Sequence, residues 1–279
     1  MKIKEVLKRG KGILIEADIE EAQLKAKLLI LHVLEITKEE YIVVADEEMD
    51  DELEIIYLAK LEELKQGKPL EYIIGKVRFL GNEYIVNESV LIPRLDTELI
   101  VNKALDLINN NGMKKVLEIG TGSGAIGIHL VKNSDIQLIA TDISEEALDV
   151  AASNAESLDV DLNRYELVKS DVYENIGEKF DLIISNPPYI KTDEMKTLNK
   201  DVLNEPKLAL DGGKDGLDLY RKIIKDAFEH INGYNSYLIL EIGSSLADDV
   251  IKILEENNWK NNQVYTDLSG LNRMIVSEI

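Results

Sequence analysis

The sequence predicts an α/β protein: a mostly parallel sheet covered by helices on both faces, behind a small all-helical domain. Three observations lead there. From Thr97 onward, apolar strand runs alternate with amphipathic helical patterns, the order expected of strand–helix–strand units. Residues 1 to about 70 hold helical spacing only. Between them, Tyr72 to Val86 mixes β-branched and aromatic residues with Gly75 and Gly81, which suggests a short hairpin.

In chain order, Leu24, Leu28 and Leu31 fall at helical spacing, as do Leu53, Ile56, Tyr57, Leu61 and Leu64, giving a helical bundle that Gly67 and Pro69 close. The expected division is a bundle over 1–70, a hairpin linker over 71–90 and the sheet domain over 91–279. A helix is expected over 97–110. Strands follow over 115–119, 136–141, 166–170, 180–185 and 236–242, with two more near 263–268 and 274–279. Helices fit over 125–132, 144–158, 215–231 and 245–257. The last two strands lack an intervening helix, so an antiparallel pair should form one edge.

Composition narrows function. The chain has 279 residues, 45% of them apolar, and a formal net charge of -21 with acid in excess in both halves. Counterion release requires a basic face, so a nonspecific grip on nucleic acid is not expected. With no cysteine and three scattered histidines, neither a disulfide framework nor a metal site is expected. No apolar run reaches the roughly 20 residues of a membrane span, and the N-terminus lacks signal-peptide features. A cytoplasmic protein is expected, working as a monomer and without membrane contact.

At the end of the first sheet strand stands Glu118-Ile119-Gly120-Thr121-Gly122-Ser123-Gly124, opening into a helix. Glycines let the backbone turn sharply and approach a ligand, and a helix start offers free N–H groups. The bland alternative is a tight turn with no ligand. Gly122, Gly124 and Gly127 satisfy the dinucleotide pattern G-x-G-x-x-G, a weak signal when alone. The frame from Glu118 instead resembles the first motif of S-adenosylmethionine-dependent methyltransferases. Asp142, ending the next strand, suits the two ribose hydroxyls of either cofactor; otherwise it caps the following helix, a role open to Ser144 as well.

The fourth strand ends in Ser185-Asn186-Pro187-Pro188-Tyr189. Two prolines fix their φ angles and give up their N–H groups, so Asn186 and the next carbonyls become rigid acceptors at the carboxyl edge of the sheet. A planar NH2 group fits such acceptors. The Asn186 oxygen takes one hydrogen and the Pro187 carbonyl the other, while Tyr189 packs on the flat group. The alternative is a proline-rich turn.

This motif resembles that of the amino-methyltransferases, and three further segments narrow the likeness. Leu91-Ile92-Pro93-Arg94-Leu95-Asp96-Thr97-Glu98, the run Glu205-Pro206 with Ala209 to Gly213 and Asp215-Gly216-Leu217, and Leu240-Glu241-Ile242-Gly243 resemble the protein-(glutamine-N5) methyltransferases that modify peptide chain release factors. The resemblance covers nearly the whole chain. It implies a Rossmann-like, seven-stranded class I methyltransferase sheet, S-adenosyl-L-methionine as methyl donor, and the glutamine of a release factor Gly-Gly-Gln motif as acceptor. It further implies that Gly120, Thr121, Gly122, Ser123 and Gly124 line the methionine part of the cofactor, that Asp142 takes its ribose, and that Asp171 and Val172 flank its adenine. Asn186, Pro187, Pro188 and Tyr189 would hold the substrate amide. The helical domain and hairpin would help hold the release factor. Leu95 stands where the family has a second proline, and Val172 where some members have tryptophan. For Arg94 and Asp96, a grip on the substrate and a plain ion pair with a helix cap stay open; Glu205 faces the site or the solvent.

Three rivals remain at this stage. An adenine-N6 nucleic-acid methyltransferase uses the same Asn-Pro-Pro-Tyr pocket, but must bind phosphates and flip a base, which a chain at -21 is poorly equipped to do. A nicotinamide oxidoreductase leaves Asn186 to Tyr189 unexplained. A noncatalytic adaptor leaves both motifs unexplained.

Overall fold

The computed structural model describes residues 1–279 and divides into two compact units. The first comprises Met1–Gly75 together with 199–204. Its helices run over Ile3–Glu16, Ala22–Val33, Lys38–Val44, Asp51–Lys65 and Leu70–Ile74. Thr37 and Glu40 close a capping box, and Asp50 accepts from the N–H groups of Glu52 and Leu53, so both helix starts are satisfied locally. Val6, Leu14, Ala26, Leu29, Ile30, Tyr57 and Leu61 form its core. The leucine stripe is only partly right: Leu24 is exposed and Leu28 half-buried, while Ala26, Leu29 and Ile30 point inward. Ala22–Val33 is apolar on nearly every side, so spacing alone leaves its rotation open. Packing fixes it, with the Tyr57 hydroxyl donating to the Ala26 carbonyl at 3.1 Å.

The second unit comprises Lys76–Leu198 and Glu205–Ile279. Its hairpin, β1 (Lys76–Phe79) and β2 (Asn82–Ile85), turns on Leu80 and Gly81, both at positive φ, as two-residue hairpin turns require. The hairpin belongs to this unit. Phe79 and Tyr84 are buried in the sheet domain's core, and the Asn154 side chain bonds both the N–H and the carbonyl of Ile85. Contrary to the expected division, the first unit therefore runs on to Gly75, and 199–204 packs with it; Asn204 donates to the Gly67 carbonyl at 3.0 Å.

Seven strands follow: β3 (Lys115–Ile119), β4 (Gln137–Asp142), β5 (Tyr165–Lys169), β6 (Leu182–Ser185), β7 (Tyr237–Glu241), β8 (Asn261–Thr266) and β9 (Asn272–Glu278). Their order is β5-β4-β3-β6-β7-β9-β8, parallel except for β9, which runs antiparallel to both neighbours. Side chains alternate across the sheet as β geometry demands. Val116 joins the core under helices Thr97–Asn111 and Ala125–Asn133, and Leu117 and Ile119 join the core under Asp218–Asp226 and Ala247–Glu256. The expected helix over 215–231 is shorter, Asp218–Asp226, because Gly216 has positive φ and a 3-10 turn over Ala227–His230 takes the end. The chain passes from β3 to β4 on one side and places β6 on the other, so the strand order reverses between β3 and β6. Ligands bind at such a switch point in open α/β sheets. No helix is long and apolar enough to cross a membrane.

Candidate active site

The two sequence motifs leave adjacent strands at this switch point. After β3, the N–H groups of Gly120 and Thr121 donate to the Thr141 carbonyl, and that of Gly122 donates to Asp142 Oδ2 at 2.9 Å. The loop is thereby tied to the end of β4. Asp142 Oδ1 accepts the Ser144 N–H at 3.0 Å, and Ser144 Oγ, not Asp142, caps the helix Glu145–Ser157. Burial pushes the Asp142 carboxyl up, while the N–H groups of Ser144, Gly122 and Ile143 pull it back. A carboxylate has about four lone-pair sites, so Asp142 can hold the loop and still accept from a ligand.

Behind the loop lies Glu118, fully buried, its side chain accepting the Thr121 hydroxyl at 2.9 Å; burial pushes its carboxyl up to about 8, while Thr121 and the Gly127 backbone pull it down. A Cβ at Gly127 would stand 2.3 Å from Glu118 Oε2. The third glycine of the apparent dinucleotide pattern is therefore explained by room for a carboxylate.

After β6, the backbone of Pro188 and Tyr189 lies against the later glycine segment. A Cβ at Gly212 would meet the Pro188 carbonyl at 2.7 Å, and one at Gly216 the Tyr189 carbonyl at 2.5 Å. Asn186 Nδ2 donates to Thr97 Oγ1 at 3.2 Å. Behind them stands Glu241 at 3% exposure; burial pushes its carboxyl up to about 7, while the nearby Thr97 and Asn186 side chains pull it down.

A cavity of about 610 Å³ joins the two loops, within the usual size of small-molecule sites. Gly120, Thr121, Gly122, Ser123, Asp142, Asp171, Val172, Asn186, Pro188 and Arg94 line it. Gly124, Pro187 and Tyr189 do not; Tyr189 packs toward Gly243 and Leu246 on the far side of its loop. Arg94 lines the cavity and also pairs with Glu205, which is buried and accepts the Ile92 N–H, so Glu205 is no surface charge. Asp96 pairs with Arg273 at 3.2 Å, does not line the cavity and makes no side-chain cap. Asp171 is held by Lys222 at 2.8 Å. No histidine lines the cavity, and no group of three or more acidic or histidine side chains could hold a metal ion.

Sequence reasoning gave no role to Thr97 or Glu241. One signal was available: Glu241 interrupts an apolar run, Leu238-Ile239-Leu240 and Ile242, on a strand buried on both faces, where an acid needs a partner.

Two family models match: the PrmC N-terminal domain over residues 5–75 and the methyltransferase small domain over 97–231. The chain is 34% identical to the release factor glutamine methyltransferase of Clostridium acetobutylicum, covering 99% of this chain and 98% of that one. It is 35% identical to the bifunctional methyltransferase of Rickettsia felis, covering 98% of this chain but 57% of the other, so it spans just over half the length of that relative. Among solved structures, a T. thermophilus 16S rRNA N2 G1207 methyltransferase in complex with AdoMet and guanosine matches with a TM-score of 0.53 at 17% identity, over 73% of this chain and 49% of that one. At that identity the likeness concerns the fold alone.

Proposed function

The chain belongs to the release factor glutamine methyltransferase family, and from that premise we propose that it moves a methyl group from S-adenosyl-L-methionine to the side-chain nitrogen of the glutamine in a release factor Gly-Gly-Gln motif. The observation that carries this is the orientation of Asn186: it lines the cavity, and its amide nitrogen is engaged by Thr97, which leaves its oxygen free to accept. An incoming carboxamide NH2 needs an acceptor there, and so would an adenine amino group; family membership favours the carboxamide.

The residues present fit the cofactor. Asp142 suits the ribose, Ile143 and Val172 offer apolar surface for the adenine beside Asp171, and the loop from Gly120 to Ser123 suits the amino-acid end. The bound cofactor supplies a methyl group on a sulfonium, which leaves as a neutral thioether. What the chain supplies is position. Asn186, on the cavity wall, takes one hydrogen of the glutamine amide; the Pro187 carbonyl, expected to take the other, belongs to a residue that does not line the cavity. The Asn186 bond turns the nitrogen lone pair toward the donor. Tyr189 acts by packing its loop from behind, and Arg94, half-exposed at the cavity and braced by Glu205, is suited to gripping substrate backbone. The nitrogen sheds one proton to solvent as the methyl group arrives, and with leaving-group chemistry this favourable no histidine base is required. We place the protein in the cytoplasm, acting as a monomer on a protein substrate.

Mass spectrometry of a release factor incubated with enzyme and cofactor tests this. The expected result is one added methyl on the Gly-Gly-Gln glutamine and none on a Gln→Ala substrate. Labelling of duplex DNA instead, with the release factor unmodified, would overturn it.

A further inference from the structure

Strand β7 carries an acid where an apolar residue would pack more cheaply. All of Tyr237–Glu241 is buried, and Glu241 Oε2 has no hydrogen-bond partner. Arg273, the nearest cation to influence it, gives its own ion pairs to Asp96 and Asp267. Glu241 is therefore not half of a salt bridge, and what it faces is a short polar chain. Asn186 Nδ2 donates to Thr97 Oγ1. Thr97, 4% exposed at the start of its helix, has one hydrogen of its own to donate, and the Glu241 carboxyl lies near enough to Thr97 and Asn186 for both to pull it down.

The direction of that chain matters. The oxygen and nitrogen ends of an asparagine amide are nearly the same shape, so only its partners decide which way it points. A hydroxyl alone decides nothing, because it accepts from one end or donates to the other. An ionised carboxylate can only accept. Beside Thr97 it is placed to take that hydroxyl's hydrogen, which would oblige Thr97 Oγ1 to accept from Asn186, and it repels a flipped amide oxygen. A flipped amide would present a donor to the donor NH2 of the substrate.

We propose that Glu241, acting with Thr97, is the positioning residue that holds the Asn186 amide with its oxygen toward the cavity. The kinetic part of this inference rests on the methyltransfer reading above; the orientation of the amide does not.

The decisive variants are Glu241→Gln, which keeps the shape but supplies a group able to donate, and Thr97→Val, which keeps the shape of the relay but removes its hydroxyl. In the full-length enzyme each should lower kcat for release factor methylation by about 10- to 100-fold, the usual penalty for a misplaced group, with the calorimetric Kd for the cofactor changed less than about twofold. Thr97→Ser should recover at least half of the kcat lost in Thr97→Val. In the wild type, kcat should fall on the acid side as Glu241 takes up a proton, and Glu241→Gln should lack that limb. The groups facing Glu241 are Asp96 and Thr97 at the helix start, Asn186 and Tyr189 after β6, Arg273 on β9 and Tyr220 on Asp218–Asp226. Of these, Tyr189 and Tyr220 are pushed up by burial and stay protonated in that range.

A readout free of substrate separates this from the functional reading. The Asn186 side-chain amide should give one exchange-protected pair of 15N-bound proton signals in the wild type, lost or broadened in both Glu241→Gln and Thr97→Val. Unaltered signals in the variants, unaltered kcat, or a loss confined to cofactor affinity would overturn the proposal. If the wild type leaves the release factor unmethylated while the amide signals respond as expected, the functional reading fails and the positioning role stands. Should Glu241→Gln not fold, the Thr97 pair carries the same contrast.

Discussion

The loop after β3 and the loop after β6 leave neighbouring strands at one edge of the sheet, and a buried glutamate stands behind each. Glu118 accepts the Thr121 hydroxyl within the turn and lies against the Gly127 main chain. Glu241 faces side chains, Thr97 and Asn186. The glycine loop is tied by backbone N–H groups, those of Gly120 and Thr121 on the Thr141 carbonyl and that of Gly122 on Asp142, and an N–H cannot exchange donor for acceptor. An amide can be turned over without loss of fit. The first loop therefore needs space for its carboxylate, and the second needs a directional partner. Binding should fail when the first is disturbed and chemistry when the second is.

The largest effect expected from this contrast is at Asn186. Asn186→Ala removes the acceptor and should lower kcat by about 10²- to 10³-fold, the range seen when one polar group aimed at a reacting centre is deleted. Isothermal titration should find the cofactor bound nearly as before. Abolished binding with intact single-turnover chemistry in the bound fraction would reverse the assignment of the two loops.

Next comes Gly127→Ala. Its Cβ would fall 2.3 Å from Glu118 Oε2, and relieving such overpacking destabilises by about 1–3 kcal/mol. Calorimetry should register a lower Tm, and cofactor affinity should fall with kcat at saturation largely kept. An unchanged Tm would mean that the glutamate is not confined by that glycine.

A smaller effect concerns pH. The Glu118 carboxyl is pushed up to about 8 in the fold, against about 4.3 in an unfolded chain, so the folded state binds more protons between those values. The stability this contributes is present below the unfolded value and is lost as pH rises through about 8. Glu241, pushed up to about 7, adds in the same sense. The Tm should thus be lower at pH 9 than at pH 6, and Glu118→Gln should flatten that slope. A Tm that rises over the interval would show that neither acid is buried as described.

How far the sequence could be read depended on range. The alternation of strands and helices, the antiparallel edge and both motifs were legible because each is written in contiguous residues. The rotation of Ala22–Val33 was not, because a helix apolar on most sides offers several faces and only Tyr57, 31 residues away, selects one. The division at residues 70 and 90 missed the hairpin's allegiance, since Phe79 and Tyr84 read as strand residues but nothing local says which core they enter. A further case is 199–204, which packs with helices more than a hundred residues earlier; Asn204 and Gly67 are 137 residues apart.

Residues close in the chain settled the kind of fold, the glycine turn beside Asp142 and the stiff Asn186-Pro187-Pro188 turn after β6, because backbone propensity, proline geometry and carboxylate chemistry act within a few positions. Which end of the Asn186 amide faces the cavity was decided elsewhere. Thr97 lies 89 residues before it and Glu241 on the next strand, and only the parallel register of β6 on β7 brings that acceptor beneath it. A hydrogen bond has direction only when both partners are in place, and folding alone put them there.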